Sequence, residues 1–401
     1  MQKPGIAAAA VLVIAVLGWW LLRAQHRELD EALVPAERSN AIAAAQTDRP
    51  LAASAAWADK WTQSVADAAW CNLKEPDQPT ETEQLTPAQI EARQQESPGS
   101  QQLNAEAARL SKAWALALKQ RGDERSQALA DLVDGSAESL QHLTNLARHT
   151  TDPAVYAWAL GKCNAVDTCY DLSARRWAQI DPGNQLPWLY EAANARRRND
   201  EQGLREALYQ IGQSSRSERY LAPMLQSLDG LHQATAPGLQ MTAEWAISLG
   251  TMAPTFVPPF GAMTTYCAAA GTDPSRGSVC SDLAETLWAH SDTVVESSIA
   301  LSISKRLPSR DAALWAARAD ERDALLFVKQ QVFERPAYDS ACALLPAALE
   351  QMKGLATVGE WGTLRARLAG RDVSALARKY REGNAKTRTQ DNPASAAIPA
   401  R

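Results

Sequence analysis

From residue 102 to residue 380 the apolar residues recur at spacings of three and four, and no alternating β-branched run interrupts them. Leu103, Ala107, Leu110, Trp114 and Leu118 make one such stripe. Tyr220, Met224, Leu225, Leu228 and Leu231 make another, stopped by Ala236-Pro237-Gly238. That period lines one face of an α-helix and cannot line one face of a strand. Asp152-Pro153 adds a start signal: an N-cap, then a proline in the first turn, where the missing N–H is not needed. The expected fold class is therefore all-α, an irregular α-solenoid or helical-hairpin array in two halves, 102–250 and 251–380, with an N-terminal transmembrane helix.

That helix is read from residues 6–22, a run of 17 residues without a charge that closes on Trp19 and Trp20. At 1.5 Å per residue the run reaches roughly 26 Å, the short end for a bilayer core, and paired tryptophans suit the headgroup boundary. Leu22-Arg23-Ala24-Gln25-His26-Arg27 lacks the small-residue pattern of a signal-peptidase cut, so an uncleaved anchor is favoured over a cleaved leader or a buried core helix. The expected segments are an anchor and stalk over 1–34, a helical segment over 35–74 with Trp57, Trp61 and Trp70, a disordered linker over 75–101, and a disordered tail over 381–401. The linker is rich in Pro, Glu, Gln and Thr.

Orientation rests on the cysteines, because the α-amino group and Lys3 nearly balance Arg23 and Arg27 across the span. Cys163 and Cys169 have five residues between them, Cys267 and Cys280 twelve. Neither spacing is that of a zinc site, and both suit local disulfides, which persist outside the cytosol. Cys71 and Cys342 remain and can pair across the fold; six cysteines leave the connectivity open. Six reduced thiols in a cytosol-facing adaptor is the competing reading. With disulfides, the chain is a single-pass inner-membrane protein of a bacterial cell envelope, its body in the periplasm and residues 6–22 in the lipid bilayer.

Charge excludes one class of partner. Three of the 41 basic residues lie in the first 27 positions, leaving 38 against 46 acidic ones in the body. No basic stripe with interleaved aromatics appears, so no nucleic-acid partner is expected.

The chain also echoes itself. Cys169, Asp171, Leu172, Trp177, Ala178 and Asp181 are matched by Cys280, Asp282, Leu283, Trp288, Ala289 and Asp292, all at an offset of 111, and Asp200 and Asp311 extend the register. In each copy a Cys is expected to end a constrained loop and an Asp or Ser to cap the helix that follows. The dipeptide Trp-Ala occurs seven times, which suits close helix packing. Within the first copy, Trp177-Ala178-Gln179-Ile180-Asp181-Pro182-Gly183-Asn184, followed by Trp188, resembles the junction between tetratricopeptide repeats. There one unit's second helix ends in a D-P-x-N turn and the next unit's Trp follows six residues after the Pro. Glu191, Ala192 and Ala195 stand where that family has Leu, Gly and Tyr, and the likeness extends to about Ser215. It implies a degenerate helical-hairpin relative.

No catalytic, cofactor or metal constellation is legible. The histidines at 26, 142, 149, 232 and 290 form no H-E-x-x-H, and phosphate loops and nucleophile elbows are absent. Arg175-Arg176 and Arg196-Arg197-Arg198 can converge on an anion if the hairpin between them folds back. The stretch 251–267 breaks the helical period and carries Phe256, Val257, Phe260, Met263 and Tyr266, which either plug the seam between the halves or form a contact surface for a partner. The function expected is binding of a protein or peptide partner in the envelope. The alternative is an envelope hydrolase whose carboxylates meet only in three dimensions.

Overall fold

The structure, a computed structural model, describes residues 98–166, 172–234, 238–253, 258–307, 311–333 and 345–391. The expected membrane segment, the 35–74 helical segment and most of the linker lie outside these residues, as do Cys71, Cys169, Phe256, Val257 and Cys342. Among the described residues the regular elements are fifteen α-helices, and no helix there is long and apolar enough to cross a membrane.

The first seven helices stack in chain order. α1 (Pro98–Arg121), α2 (Glu124–Asp134), α3 (Ala137–His149), α4 (Pro153–Val166), α5 (Ala174–Ile180), α6 (Leu186–Arg197) and α7 (Glu201–Gly212) each pack on the next. Side-chain caps set most of their starts. Asp123 accepts from Ser126 N at 2.9 Å, Ser173 from Arg176 N at 3.1 Å and Asp200 from Gly203 N at 2.8 Å. Asp152 accepts from Ala154 N at 2.8 Å just before Pro153, as the dipeptide predicts. The first stripe is buried at Leu103, Leu110, Trp114 and Leu118.

The remaining helices fold back over the first set. After α8 (Leu221–Asp229), α9 (Leu239–Met252) returns to lie on α1 and α2. α10 (Gly261–Ala268) packs on α6, and α11 (Pro274–Ala289) on α7. α12 (Val294–Ser304), α13 (Ala312–Phe333), α14 (Leu345–Leu368) and α15 (Val373–Asp391) follow, and α14 also reaches back to α8. One large core runs from Leu103 to Met352, and a second joins Leu325, Val328, Trp361, Leu364, Leu376 and Tyr380 of α13–α15. Trp288 touches both, with its ring edge-on to Trp361 at 5.6 Å.

Three expectations are corrected. The linker ends earlier than expected, because α1 starts at Pro98, a residue that a first helical turn accepts. The tail does not begin at Arg381: α15 continues to Asp391, tied to α13 where Arg381 Nε meets Asp323 at 2.6 Å. Cys280 does not precede a helix start. α11 opens at Asp273-Pro274 and carries Cys280 in its interior, so Asp282 caps nothing.

The turn after α5 is built around Gly183. Its φ is +87°, and a Cβ there would lie 3.1 Å from Ser215 Oγ. Gly183 O accepts from Ser215 N at 3.0 Å and Arg216 N at 3.2 Å, and Arg216 O accepts from Gln185 N at 3.0 Å. The turn is thereby sewn to the non-helical segment 213–220 as a parallel bridge between Asn184 and Arg216. Gly183→Ala should lower stability by about 1 kcal/mol or more, since it strains the backbone and crowds Ser215. Urea melts measure it, and an unchanged midpoint would refute this account of the turn.

Candidate functional site

Segment 213–220 leaves α7 without regular secondary structure, and its side chains reach both the end of α5 and the start of α12. On one side Asp181, at the end of α5, is almost fully buried. It accepts from Arg216, from Asn184 Nδ2 at 2.6 Å and from the Tyr220 hydroxyl at 2.6 Å. Burial and the Asp181 carboxylate push the Tyr220 phenol far up, so it stays a donor. Tyr220 sits at φ 59°, a costly place for a side chain. Its N–H on Glu218 at 2.7 Å and its carbonyl under Trp158 Nε1 at 3.2 Å hold it there.

On the other side the segment meets the start of α12. Ser217 Oγ donates to Glu296 at 2.7 Å and Arg219 Nη2 at 2.8 Å, both to Oε1. The second oxygen, Oε2, accepts from Asp292 N at 2.7 Å and Thr293 N at 3.1 Å, completing a capping box with Thr293. Glu296 is fully buried and Arg219 nearly so. Next to them lies Asp292, which burial pushes up to about 7 against the pull of Arg219, with Glu296, Glu218 and Glu360 adding to the rise. Burial also raises Glu360, but the Lys329 charge and hydrogen bond (2.6 Å) and the Val294 N–H bring it below the usual range. The carboxylates of this joint thus sit in unlike environments. Glu296 and Glu360 are each held by a cation and by the backbone at the head of α12.

One cavity is lined by Arg219 of the joint. It is bounded by Ala157, Trp177, Leu186, Tyr190, Arg219 and Pro258 and leaves about 10 Å3 for the centre of a water-sized molecule, the size of a single water. Arg219 Nε and Nη1 and Trp177 Nε1 are buried there without a partner. The second is an open groove between α6 and α10, about 340 Å3, walled by Ala193, Arg196, Arg197, Pro259, Ala262 and Thr265.

The groove lies beside the residues singled out as a contact surface, but not on them. Phe260, Met263 and Tyr266 are buried in the main core, so a partner does not reach them. Gly and Pro break the helix here, and the aromatic side chains that follow turn inward to fill the space under α6. The arginine runs also differ from the expectation of an anion site. α5 and α6 do fold together and bring Arg175 and Arg198 to one point, at 3.1 and 3.3 Å from the same oxygen. That oxygen belongs to Glu191, a buried carboxylate of the chain itself. Cys267 and Cys280 are joined, tying α10 to α11; Cys163 is also disulfide-bonded, to a partner outside the described residues.

One arrangement has the order of a catalytic triad. His232 Nε2 is 3.2 Å from Ser248 Oγ, and its Nδ1 is 3.7 Å from Glu244 Oε2. Ser248 is fully buried and also bonds to its own helix at Glu244 O, 3.1 Å away. Glu244 already accepts from Gln233 N at 3.0 Å and Gln240 Nε2 at 2.9 Å. Burial holds His232 below the ordinary imidazole range, against the pull of Glu244 and Asp229. A nucleophile closed to solvent, beside a carboxylate engaged in capping a turn, supports α9 rather than chemistry. His142 meets Asp131 at 2.6 Å, and among the described residues no group of three His, Cys, Asp or Glu is placed to hold a metal ion. The His232 and Glu296 clusters were not legible in the sequence, because their members come from separate helices and loops.

No protein-family model, curated protein or solved structure matches this chain.

Two outcomes test the joint. Asp292 keeps its proton in the folded state up to about pH 7, whereas an ordinary aspartate loses it near 3.8. Its contribution therefore favours the fold at the acid end of that window and declines as pH rises through it. Wild-type minus Asp292→Asn stability, from urea midpoints, should fall between pH 5 and pH 8; a flat difference would contradict the burial of this carboxyl. Separately, Arg219→Met should cost about 3–5 kcal/mol by stranding Glu296, and in a cycle with Glu296→Met the double variant should lose clearly less than the sum of the two single losses. Additive losses would show the pair is not coupled.

Proposed function

We propose that this chain is an extracytoplasmic helical-hairpin protein, held at the inner membrane by residues 6–22, that binds a protein or peptide partner. We further read it as a degenerate relative of tetratricopeptide arrays. One observation carries the proposal: the open α6–α10 groove has as one wall a short helix fastened by the Cys267–Cys280 disulfide. A helix of eight residues is too short to persist by itself, so its position depends on packing and on that bond. The chain-entropy account gives about 3 kcal/mol for closing a loop of this length. Such a bond endures in an oxidising compartment.

The repeat reading has local support. Asp181-Pro182-Gly183-Asn184 forms a tight turn between two helices, and Asp200 and Asp311 accept from the N–H three residues on, at 2.8 Å each. The helices they cap, α7 and α13, each pack on the preceding helix.

The location is tested by alkylating native material before and after reduction and mapping the modified cysteines by mass. Cys267 and Cys280 should take the label only after reductant. Full labelling beforehand would overturn the extracytoplasmic placement.

A further inference from the structure

The groove between α6 and α10 combines a small apolar floor, from Ala193, Pro259 and Ala262, with two exposed guanidiniums at its rim. Its volume of about 340 Å3 falls at the lower end of ligand-pocket sizes. Four nearby arginines are neutralised within the fold. Arg175 and Arg198 meet Glu191, Arg216 meets Asp181, and Arg219 meets Glu296. Arg196 and Arg197 differ. Arg196 reaches the Gly261 carbonyl at 3.4 Å and Arg197 the Asn194 side chain, both neutral, and neither makes an ion pair among the described residues. On the far side of α10, Arg306 likewise contacts a carbonyl, that of Thr264, at 3.5 Å. Arg196, Arg197 and Arg306 therefore place positive charge without an ion pair among the described residues beside the fastened helix, while the body as a whole carries an acidic excess.

We propose that this groove docks a linear segment of a partner protein whose acidic side chains alternate with small apolar ones. The apolar residues would cover Ala193 and Ala262 and the carboxylates would meet Arg196 and Arg197. This rests on the partner-binding reading above and adds the partner's chemistry. Exposed ion pairs are individually weak, so the two arginines act mainly on encounter rate and on selection against basic segments.

The test places the photo-crosslinker p-benzoylphenylalanine at Thr265 on the groove wall of the full chain, and separately at Leu116 and Tyr209, two exposed positions elsewhere. The purified chain is offered biotinylated acetyl-Ala-Glu-Leu-Glu-Ala-amide and its glutamine counterpart. The acidic peptide should label position 265 about tenfold more, an advantage removed by Arg196→Ala with Arg197→Ala. Equal labelling of the two peptides would overturn the proposal. In cells, adducts at 265 should map to acidic partner segments and fall by a similar factor in the double variant. Adducts at 116 or 209 with none at 265 would overturn the groove as the docking site while leaving partner binding intact. No adduct at any of the three would remove both.

Discussion

The fold turns on one buried contact, the hydrogen-bonded ion pair of Arg219 with Glu296, 2.8 Å long. Neither residue is near the other in sequence, so the contact exists only once the chain between them has folded back. Burying such a pair gives little net stability, because desolvation offsets most of the attraction. Its effect is on register. Glu296 caps α12 with one oxygen and receives Ser217 and Arg219 with the other, so the helix start and the crossing segment cannot shift independently. Four residues away Gly183 and Asn184 fasten the same segment to the turn after α5. Segment 213–220 thus sets how the first hairpins face the later ones.

What was legible in the sequence was local. A stripe such as Leu103 to Leu118 and a cap such as Asp152 each involve residues within a few turns, so their chemistry can be read from spacing. The offset of 111 also picked out Asp181 and Asp292, and both prove to be carboxylates at the crossing segment. Their environments were not legible, since Arg216, Tyr220, Arg219 and Glu360 arrive from other elements. The same limit explains the burial of Phe260, Met263 and Tyr266. An apolar loop suits a seam and a docking face equally well, and only the packing of α10 on α6 distinguishes them. Glu191 was visible as a departure from the tetratricopeptide pattern, yet its role as the sink for Arg175 and Arg198 required the hairpin to be closed.

The C-terminal helices add a second core whose junction with the first is polar as well as aromatic. α14 kinks at Gly359, where φ is 71°, and a Cβ there would stand 2.5 Å from Asp292 Oδ1. Trp361 N then donates to Asp292 O at 3.2 Å, and Glu360 turns to Lys329 and Val294 N. Arg318 lies over the Trp315 ring at 4.3 Å and over Trp288 at 5.5 Å, closing the apolar side of the junction. The glycine is therefore needed twice over, for its backbone angle and for the room it leaves a carboxyl group. Charge at Asp292 then acts directly on the junction between the cores.

The contrast between the two arginine sets bears on what the molecule presents outward. Arg219 is costly inside the fold without Glu296, and Arg175 and Arg198 secure the α5–α6 hairpin through Glu191, so each has a structural reason for its acid. Arg196 and Arg197 need none, because solvent already satisfies exposed guanidiniums. Their interest comes from what they stand beside. α10 is bonded to α11 through sulfur, and its carbonyls are held by Arg196, Arg276 and Arg306 at 3.4, 3.3 and 3.5 Å. A wall fixed this firmly beside two exposed guanidiniums would lose little entropy under a docked segment, and that preorganisation is what the proposed binding at a weakly charged rim needs.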